Sequence, residues 1–368
     1  MRSALLVFSR ERAWINAQHL ELARVAAPTF FEQKRAAWMQ EQFRTLGCEA
    51  KVDRAGNVVC FPHGDSGGTL VAVTAHLDTV LAPRSPDDIR VGPEGKFYGP
   101  GVADNGAGLT GLIAMARVLR EHRTAGAERV VIVANVGEEG EGNLSGMRYL
   151  CRQSPLASRL GTILVLDGPG AEQVTTTALG SRRFEVVFEG PGGHSWSDFG
   201  VGNPVHALSR VVADFADQFQ VGEPRATFNF GIIEGGASIN SIPSEARAKL
   251  DLRSESTDRL TELAELLTDC VERSLEAENL KVTTGPARWL RPAKPGAARV
   301  TARIREIGSR PGGRLAPEAD LRRHLQQIDR YLGIESREDC ASTDANIPLS
   351  MGVPAVALGA GGTGGGAH

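Results

Sequence analysis

Four runs of apolar, largely β-branched residues constrain the fold of this chain more than any other feature. They are TLVAVTA (residues 69–75), RVVIVANV (129–136), TILVL (162–166) and VPAVAL (353–358). Strands that are apolar on both faces are typical of parallel sheets, because helices cover both sides. Residues 108–120 have one apolar helical face, and residues 12–46 have helical spacing with a break at Pro28. The chain therefore predicts an α/β fold, a mostly parallel sheet with helices on both faces.

The middle of the chain has a different pattern and predicts a second, smaller domain. Three stretches alternate polar and apolar residues like half-exposed strands: 183–189, 226–233 and 245–253. Two stretches have helical spacing, 203–219 and 257–276. Residues 280–290 are predicted to form a final strand. The order β-α-β-β-α-β is that of a ferredoxin-like α+β unit. In a chain of 368 residues we expect one α/β domain from residues 1–180 and 291–368, interrupted by an inserted α+β domain, 181–290.

Composition argues against several classes of protein. The 41 basic and 44 acidic residues give a net charge of -3, and the basic residues are dispersed, so no nucleic-acid partner is expected. There is no apolar run of about 18 residues, so no membrane partner is expected. The five cysteines are scattered without a CxxC pair, and the N-terminal apolar stretch is too short for a signal peptide. A reduced, cytoplasmic setting fits these features best.

Residue types that bind metals follow the apolar runs. His76 comes directly after the first run, and Asp78 can accept a hydrogen bond from its second ring nitrogen. Asp104 lies in the glycine-rich loop GPGVADNGAG, before a predicted helix. Each also has a plain structural alternative, since His76 can be a buried histidine with satisfied hydrogen bonds and Asp104 can cap the helix.

Two further strand ends carry acidic residues. Glu138 and Glu139, in GEEGEG, follow the second run, and adjacent carboxylates there repel each other unless a cation is present. One of them can bind a metal while the other takes a proton from water. Asp167 follows the third run, and His368 is the last residue. The alternatives are a solvated acidic loop and an aspartate in an ordinary turn.

Three residues of the inserted region are candidates for contacting a substrate. His194 lies on a glycine-rich turn, GPGGHS, from which its side chain can reach outward. Asn240 ends the sequence GGASIN, and Arg253 could hold a substrate carboxylate. A surface histidine, a structural turn and an intramolecular salt bridge are the respective alternatives.

In their order and spacing, the motifs resemble those of the M20 family of zinc metallopeptidases, which includes acetylornithine deacetylase and succinyl-diaminopimelate desuccinylase. The motifs are TAHLDTV, GVADNGAG, GEEGEG, LDG, GPGGHS, GGASINSIP and STDANIP, and they extend over nearly the whole chain. The resemblance implies that the α/β domain is catalytic. It also implies that the inserted domain is a dimerisation or lid domain, and hence that the protein is a homodimer.

The resemblance also implies a ligand set for two zinc ions per subunit, for which Co²⁺ or Mn²⁺ can substitute. His76 and Asp167 would bind one ion, Glu139 and His368 the other, and Asp104 would bridge both. Members of the family usually continue for a few tens of residues beyond the position of His368. We therefore expect a weakened second zinc site and a less stable protein.

The remaining roles come from the same resemblance. Asp78 would orient His76, and Glu138 would act as general base and later as proton donor. His194 would act in trans, reaching the active site of the partner subunit to stabilise the oxyanion. The implied substrate contacts are Asn240 and Arg253.

Within the family, the sequence around STDANIP and the glycine-rich tail are most similar to the peptidase T-like branch. That likeness favours an aminopeptidase that cleaves short peptides, di- or tripeptides. Two alternatives remain open at this point. One is an N-acyl amino acid deacylase of the acetylornithine deacetylase or succinyl-diaminopimelate desuccinylase type, and the other is a non-catalytic or truncated member of the fold.

Overall fold

The structure, a computed structural model, describes residues 2–122, 125–284 and 298–366. The chain divides into two compact units, Met1–Leu179 with Arg310–His368, and Gly180–Ser309. The expected return to the first domain, between residues 290 and 291, lies outside the described residues, and the described residues 298–309 belong to the second unit.

The described residues form the following elements. The α-helices are α1 (Arg2–Arg10), α2 (Arg12–Ala23), α3 (Gln33–Thr45), α4 (Ala107–Glu121), α5 (Ser145–Arg152), α6 (Pro204–Gln218), α7 (Thr257–Thr284), α8 (Asp320–Leu332) and α9 (Asn346–Ser350). The strands are β1 (Glu49–Val52), β2 (Val58–Phe61), β3 (Leu70–His76), β4 (Arg90–Val91), β5 (Phe97–Tyr98), β6 (Val130–Asn135), β7 (Leu160–Leu166), β8 (Gln173–Ala178), β9 (Gly180–Glu189), β10 (Gly193–His194), β11 (Ala226–Gly235), β12 (Ser241–Ile242), β13 (Glu245–Ser254), β14 (Thr301–Arg310), β15 (Gly313–Arg314), β16 (Arg337–Ala341) and β17 (Ala355–Leu358). Across the described ranges, no helix combines the length and the apolar character that crossing a membrane requires.

The first unit is built on a sheet with a parallel centre. The strand order is β1-β2-β6-β3-β7-β17-β8-β15, and β16 pairs with β8. Strands β6, β3, β7 and β17 run parallel to one another. Antiparallel pairs extend the sheet on both sides, through β1 and β2 at one edge and β8 and β15 at the other. The predicted α/β class with a mostly parallel sheet is confirmed.

Helices cover both faces of this sheet, which explains why its central strands are largely apolar. Val131 and Val133 pack into one cluster with α5, and Ile132 and Ala134 pack into the other with α3 and α4. Successive side chains of a strand point to opposite faces, so a strand covered on both sides has no solvent-exposed face that favours polar residues. Burying one such aliphatic side chain contributes about 1.5–3 kcal/mol.

The second unit has the predicted order of elements. Its antiparallel sheet has the order β11-β13-β9-β14, and α6 and α7 share one apolar cluster with it. Phe215 of α6 meets Phe228 and Phe230 of β11 edge to face, with ring centroids 5.1 and 5.7 Å apart. The unit is therefore the expected β-α-β-β-α-β domain, to which the short pair β10–β12 is added.

The predicted strand at residues 280–290 is wrong where the structure describes it, because residues 280–284 continue α7. The fourth strand is instead β14. The buried stripe of α7 extends to Glu278, a charged residue that the apolar pattern could not reveal. Glu278 is neutralised within its own unit by Arg210, at 2.6 Å, and accepts the backbone N–H of Asn203.

Candidate metal centre

Three neighbouring parallel strands bring side chains of metal-binding type to one edge of the first sheet. His76 ends β3, Glu138 and Glu139 lie in the turn after β6, and Asp167 directly follows β7. Ligand atoms of His76, Asp104 and Asp167 lie within 4.8 Å of one another, and so do those of His76, Glu138 and Glu139. The two groups share His76, as expected from strands whose carboxyl ends meet at one edge.

His76 is buried, with 1% of its surface exposed, and both ring nitrogens have partners. Its Nδ1 lies 2.9 Å from the carbonyl oxygen of Asp78. Its Nε2 lies 2.9 Å from Oδ1 of Asp104 and 3.7 Å from Oδ1 of Asp167. A proton on Nδ1, donated to the carbonyl, leaves the lone pair of Nε2 free for a metal ion shared with the two aspartates.

The carboxylate of Asp78 does more than the orienting role proposed from sequence. It lies 3.6 Å from Nδ1 of His76, farther than the backbone carbonyl of the same residue. Its oxygens accept the backbone N–H groups of Glu138, at 3.0 Å, and Glu139, at 2.9 Å, and the hydroxyl of Thr29, at 2.9 Å. Burial alone would raise the pKa of Asp78, but His76 and these donors hold it at about 2. Asp78 therefore fixes the turn that carries the two glutamates.

Asp104 does not cap helix α4, so that structural alternative is wrong. The N-cap position is Gly106, which has no side-chain cap, and Asp104 has extended rather than helical backbone angles. The peptide bond between Asp104 and Asn105 is cis. The Asp104 carboxylate is mostly buried and points to Nε2 of His76, and its role as a metal ligand stays a prediction.

Asn105 anchors the loop that carries Asp104. Its side-chain oxygen accepts the N–H groups of Gly108, at 3.1 Å, and Gly168, at 3.2 Å, and its amide donates to the carbonyl of Leu166 at 2.8 Å. A Cβ atom at position 108 would lie 2.3 Å from the Asn105 oxygen and 2.7 Å from the Leu166 carbonyl. Glycine is therefore required there for the loop to reach the end of β7.

Replacing Asn105 with alanine is expected to destabilise the metal-free protein by about 1–3 kcal/mol. Asn105 is fully buried, and the change leaves two N–H groups and one carbonyl without this partner. Urea unfolding measures the effect. Asn16→Ala, on the exposed face of α2, is the matched control and should change the free energy of unfolding by less than about 0.5 kcal/mol. Equal effects of both substitutions would contradict the anchoring role.

Glu138 and Glu139 are buried, with 5% and 9% of their surfaces exposed, so the solvated-loop alternative is wrong. Gly137 precedes them with φ +66, a conformation that favours glycine, and its N–H donates to the carboxylate of Glu32 at 3.1 Å. Burial raises the pKa of Glu139 to about 8, and the charge of Glu138 adds to the shift. Burial also raises the pKa of Glu138, against the opposing charge of Arg310.

A segment near the N-terminus supports the site, and sequence reasoning did not identify it. Besides Thr29 and Glu32, it contains the fully buried Arg35, which donates to the carbonyls of Val25, at 2.8 Å, and Leu77, at 2.7 Å. These residues follow Pro28, where the sequence predicts that the helix is interrupted. Polar residues next to such an interruption were the signal that could have identified this segment.

Asp344, in the STDANIP motif, is a second buried carboxyl group that sequence reasoning did not assign. It is fully buried and accepts the side-chain amide of Asn135 at 2.6 Å. Burial, followed by the charge of Glu138, raises the pKa of Asp344 to about 8. The edge of the sheet therefore concentrates more acidic groups than the motifs alone indicated.

The predicted substrate contacts His194 and Asn240 lie close together on an exposed ribbon of the second unit. His194 pairs with Ser241 in the short β10–β12 pair, and Nδ1 of His194 accepts the N–H of Trp196 at 3.2 Å. The carbonyl of Asn240 accepts the N–H of Ser195 at 3.0 Å. His194 is exposed, as its structural alternative of a surface histidine expected. Its contact with substrate stays a prediction.

The remaining predicted residues have different outcomes. Arg253 forms the intramolecular salt bridge that was its structural alternative, with Nε 2.7 Å from Oδ2 of Asp251. Its role as a substrate clamp stays a prediction. His368 lies outside the described residues, so its place in the second zinc site also stays a prediction.

The donor set fits a divalent ion such as zinc, which binds histidine nitrogen and carboxylate oxygen. Burial would lower the pKa of His76, but the nearby carboxylates of Asp104, Asp167 and Asp78 raise it well above its usual range in the metal-free protein. Buried carboxylates this close together repel one another when ionised. Without a cation the site holds protons instead, and a bound cation would replace them.

The unfolding free energy of the metal-free protein is therefore expected to fall as pH rises from 5 to 8. The pKa values of Glu139 and Asp344, about 8 in the fold, exceed the usual values near 4. The folded protein keeps protons that the unfolded chain has released, so stability decreases with pH in this window. His76, with its raised pKa, acts in the same direction.

Urea unfolding in chelator at pH 5 and pH 8 measures this dependence. Glu139→Gln is the matched comparison, because it removes one of the titrating groups. In this variant the unfolding free energy should decrease less between pH 5 and pH 8. Asp78, whose pKa is about 2, contributes nothing variable above pH 5. A metal-free protein that is more stable at pH 8 than at pH 5 would contradict the expectation.

Comparison with known proteins finds matches to two peptidase families and to amide hydrolases. The family model of the M20 peptidase dimerisation domain matches residues 176–279, and that of peptidase family M28 matches residues 57–191. A putative [LysW]-lysine/[LysW]-ornithine hydrolase of Aeropyrum pernix is 24% identical over 297 residues, 80% of this chain and 77% of that protein. A succinyl-diaminopimelate desuccinylase of Burkholderia mallei is 25% identical over 234 residues, 58% of this chain and 62% of that protein.

A solved structure has the same fold. A tripeptidase from Staphylococcus aureus superposes with a TM-score of 0.71 at 18% identity, covering 94% of this chain and 89% of the tripeptidase. The matched domain, the amide-hydrolysing relatives and the shared fold agree with the site at the sheet edge. The chain therefore carries an M20 peptidase dimerisation domain, resembles M20 metallopeptidases in sequence and fold, and is a hydrolase that acts on amide bonds.

Proposed function

We propose that this hydrolase uses two zinc ions to cleave the amide bonds of short peptides, as a di- or tripeptide aminopeptidase. One observation carries the proposal. Buried Glu138 lies beside the donors His76, Asp104, Asp167 and Glu139 at the carboxyl edge of the parallel sheet. A base next to a set of metal donors is the arrangement that metal-assisted hydrolysis requires.

The donors divide between two ions in the proposed site. His76 and Asp167 would hold one ion, Glu139 and His368 would hold the other, and Asp104 would contribute to both. The chemistry that bound zinc supplies is polarisation of the scissile carbonyl and acidification of water. Elemental analysis of the protein with zinc supplied in excess tests the assignment, with two zinc ions per chain expected. The second ion should be the more easily removed, because its site is expected to be the weaker one.

The protein's own groups manage the protons. Glu138 accepts a proton from the attacking water through its carboxylate and returns a proton to the leaving amine. Asp78 keeps Glu138 and Glu139 in place by accepting both of their N–H groups. His194 of the partner subunit would donate a hydrogen bond to the oxyanion that develops on the scissile carbonyl.

The homodimer that this role of His194 requires is itself a proposal. The match of residues 176–279 to a peptidase dimerisation domain supports it. Sedimentation velocity would test it, and a purely monomeric protein that is fully active would exclude catalysis in trans. The cytoplasmic setting expected from the cysteine pattern also stays a prediction.

The substrate class is supported by the fold shared with a tripeptidase. The alternative, deacylation of N-acyl amino acids, is favoured by the similarity to a desuccinylase. Hydrolysis of di- and tripeptides should be compared with that of N-acetyl and N-succinyl amino acids, with zinc supplied. Higher kcat/KM for peptides supports the proposal, and higher kcat/KM for acylated amino acids supports the alternative. No turnover of either class would indicate a non-catalytic member of the family.

A further inference from the structure

Arg310 holds Glu138 at two points. The arginine side chain is buried, with 6% of its surface exposed. Its Nη1 donates to Oε1 of Glu138 at 2.8 Å, and its Nη2 donates to the backbone carbonyl of the same glutamate. Nη1 also lies 3.2 Å from the hydroxyl oxygen of Ser342. One rigid guanidinium therefore donates hydrogen bonds to both the main chain and the side chain of a single residue.

These two hydrogen bonds restrict the conformation of Glu138. A glutamate side chain loses rotamer entropy when it is fixed, and a planar guanidinium with several donors is suited to holding a carboxylate in one orientation. Asp78 accepts the N–H of Glu138 from the other side. The backbone of Glu138 is thus held on both of its polar groups, and its carboxylate is held on one oxygen.

The other oxygen of the carboxylate, Oε2, is available to accept a proton. Within the described ranges, no hydrogen bond engages Oε2 of Glu138, whereas Oε1 is occupied by Arg310. Buried ion pairs contribute little net stability, because desolvation offsets their attraction. Stability alone is therefore a weak reason for a buried arginine at this position, and orientation of the base is a stronger one.

We propose that Arg310 is a positioning residue that fixes Oε1 of Glu138 and thereby presents Oε2 to the attacking water. The proposal rests on the general-base role proposed for Glu138. Arg310 makes no contact with the substrate in this mechanism and acts through the glutamate. Lysine cannot replace it, because one ammonium group lacks the spread of donors that reaches the carboxylate and the carbonyl together.

The experiment is to measure kcat, KM and zinc content for Arg310→Lys. We expect kcat to fall at least about tenfold, since misplacing a catalytic group by about 1 Å can cost about 100-fold. KM should stay within about twofold, because substrate binding is not affected. Zinc content should equal that of the wild-type protein. In Arg310→Ala, added guanidinium ion should restore part of kcat.

Arg159→Lys is the matched control. Arg159 also makes a two-point contact with a carboxylate, that of Asp65, at 2.8 and 2.6 Å. It directly precedes β7, so it lies at the amino edge of the parallel strands, away from the candidate site. Arg159→Lys should leave kcat and KM unchanged.

A second measurement does not depend on activity. Unfolding free energies of the metal-free wild type, Arg310→Lys, Glu138→Gln and the double variant form a double-mutant cycle. We expect the two substitutions to be non-additive, as is usual for residues in contact. Additive effects would overturn the proposed contact.

The remaining outcomes separate this inference from the proposed function. A wild-type protein that hydrolyses amides while Arg310→Lys retains full kcat would overturn the positioning role alone. So would a loss of activity explained by lost zinc, or an Arg310→Ala variant that guanidinium does not rescue. A wild-type protein without any amide hydrolysis would instead overturn the proposed function.

Discussion

Replacing Glu138 with glutamine is expected to lower kcat by about 10²–10⁴-fold, the usual contribution of a general base. The amide keeps the size of the side chain but cannot accept a proton from water. Zinc content should not change, because Glu138 is outside the proposed ligand set. Steady-state kinetics with a tripeptide and elemental analysis of the same sample measure both quantities.

Glu141→Gln is the control for this experiment, because it makes the same chemical change in the same loop at an exposed position. It should retain wild-type kcat. Glu138→Gln also removes the charge partner of Arg310, so the melting temperature of each variant must be compared with the assay temperature. A folded, zinc-loaded Glu138→Gln variant that keeps more than about a tenth of wild-type kcat would exclude Glu138 as the base.

The main features of the site could be predicted because they are local in sequence. An apolar run followed by a metal-binding residue marks the end of a buried strand, as with His76 and Asp167. Parallel strands then bring such ends to one edge without any further information. The same local logic gave the order of elements in the second unit.

Other features depend on contacts between residues far apart in the chain, and single motifs carry no record of these. The carboxylate of Asp78 accepts N–H groups 60 and 61 residues away, and Arg310 contacts a glutamate 172 residues away. Helix α7 was predicted to end too early because Glu278, a charged residue, occupies a buried position. Polar groups buried with their partners do not follow hydrophobic periodicity, so they have to be read from the fold.

Replacing Asp104 with alanine is expected to remove both zinc ions. Its carboxylate lies 2.9 Å from Nε2 of His76, the residue common to both groups of donors, and it is the proposed bridge. Losing it removes one ligand from each ion and leaves the repulsion between the remaining carboxylates. Zinc at 1,000 times its dissociation constant would stabilise the wild type by about 4.1 kcal/mol, and this gain should be absent in the variant. Elemental analysis and thermal unfolding with and without zinc measure the two effects.

The stoichiometry distinguishes a bridging role from a role at one ion. Asp167→Ala removes a ligand proposed for a single ion, so it should retain about one zinc per chain, whereas Asp104→Ala should retain none. Asp87→Asn, at an exposed turn, is the control and should bind zinc like the wild type. If Asp104→Ala and Asp167→Ala each keep one ion, Asp104 belongs to one metal site alone. If Asp104→Ala keeps two, the sheet edge binds zinc without it, and the bridge must be sought among the other carboxylates buried there.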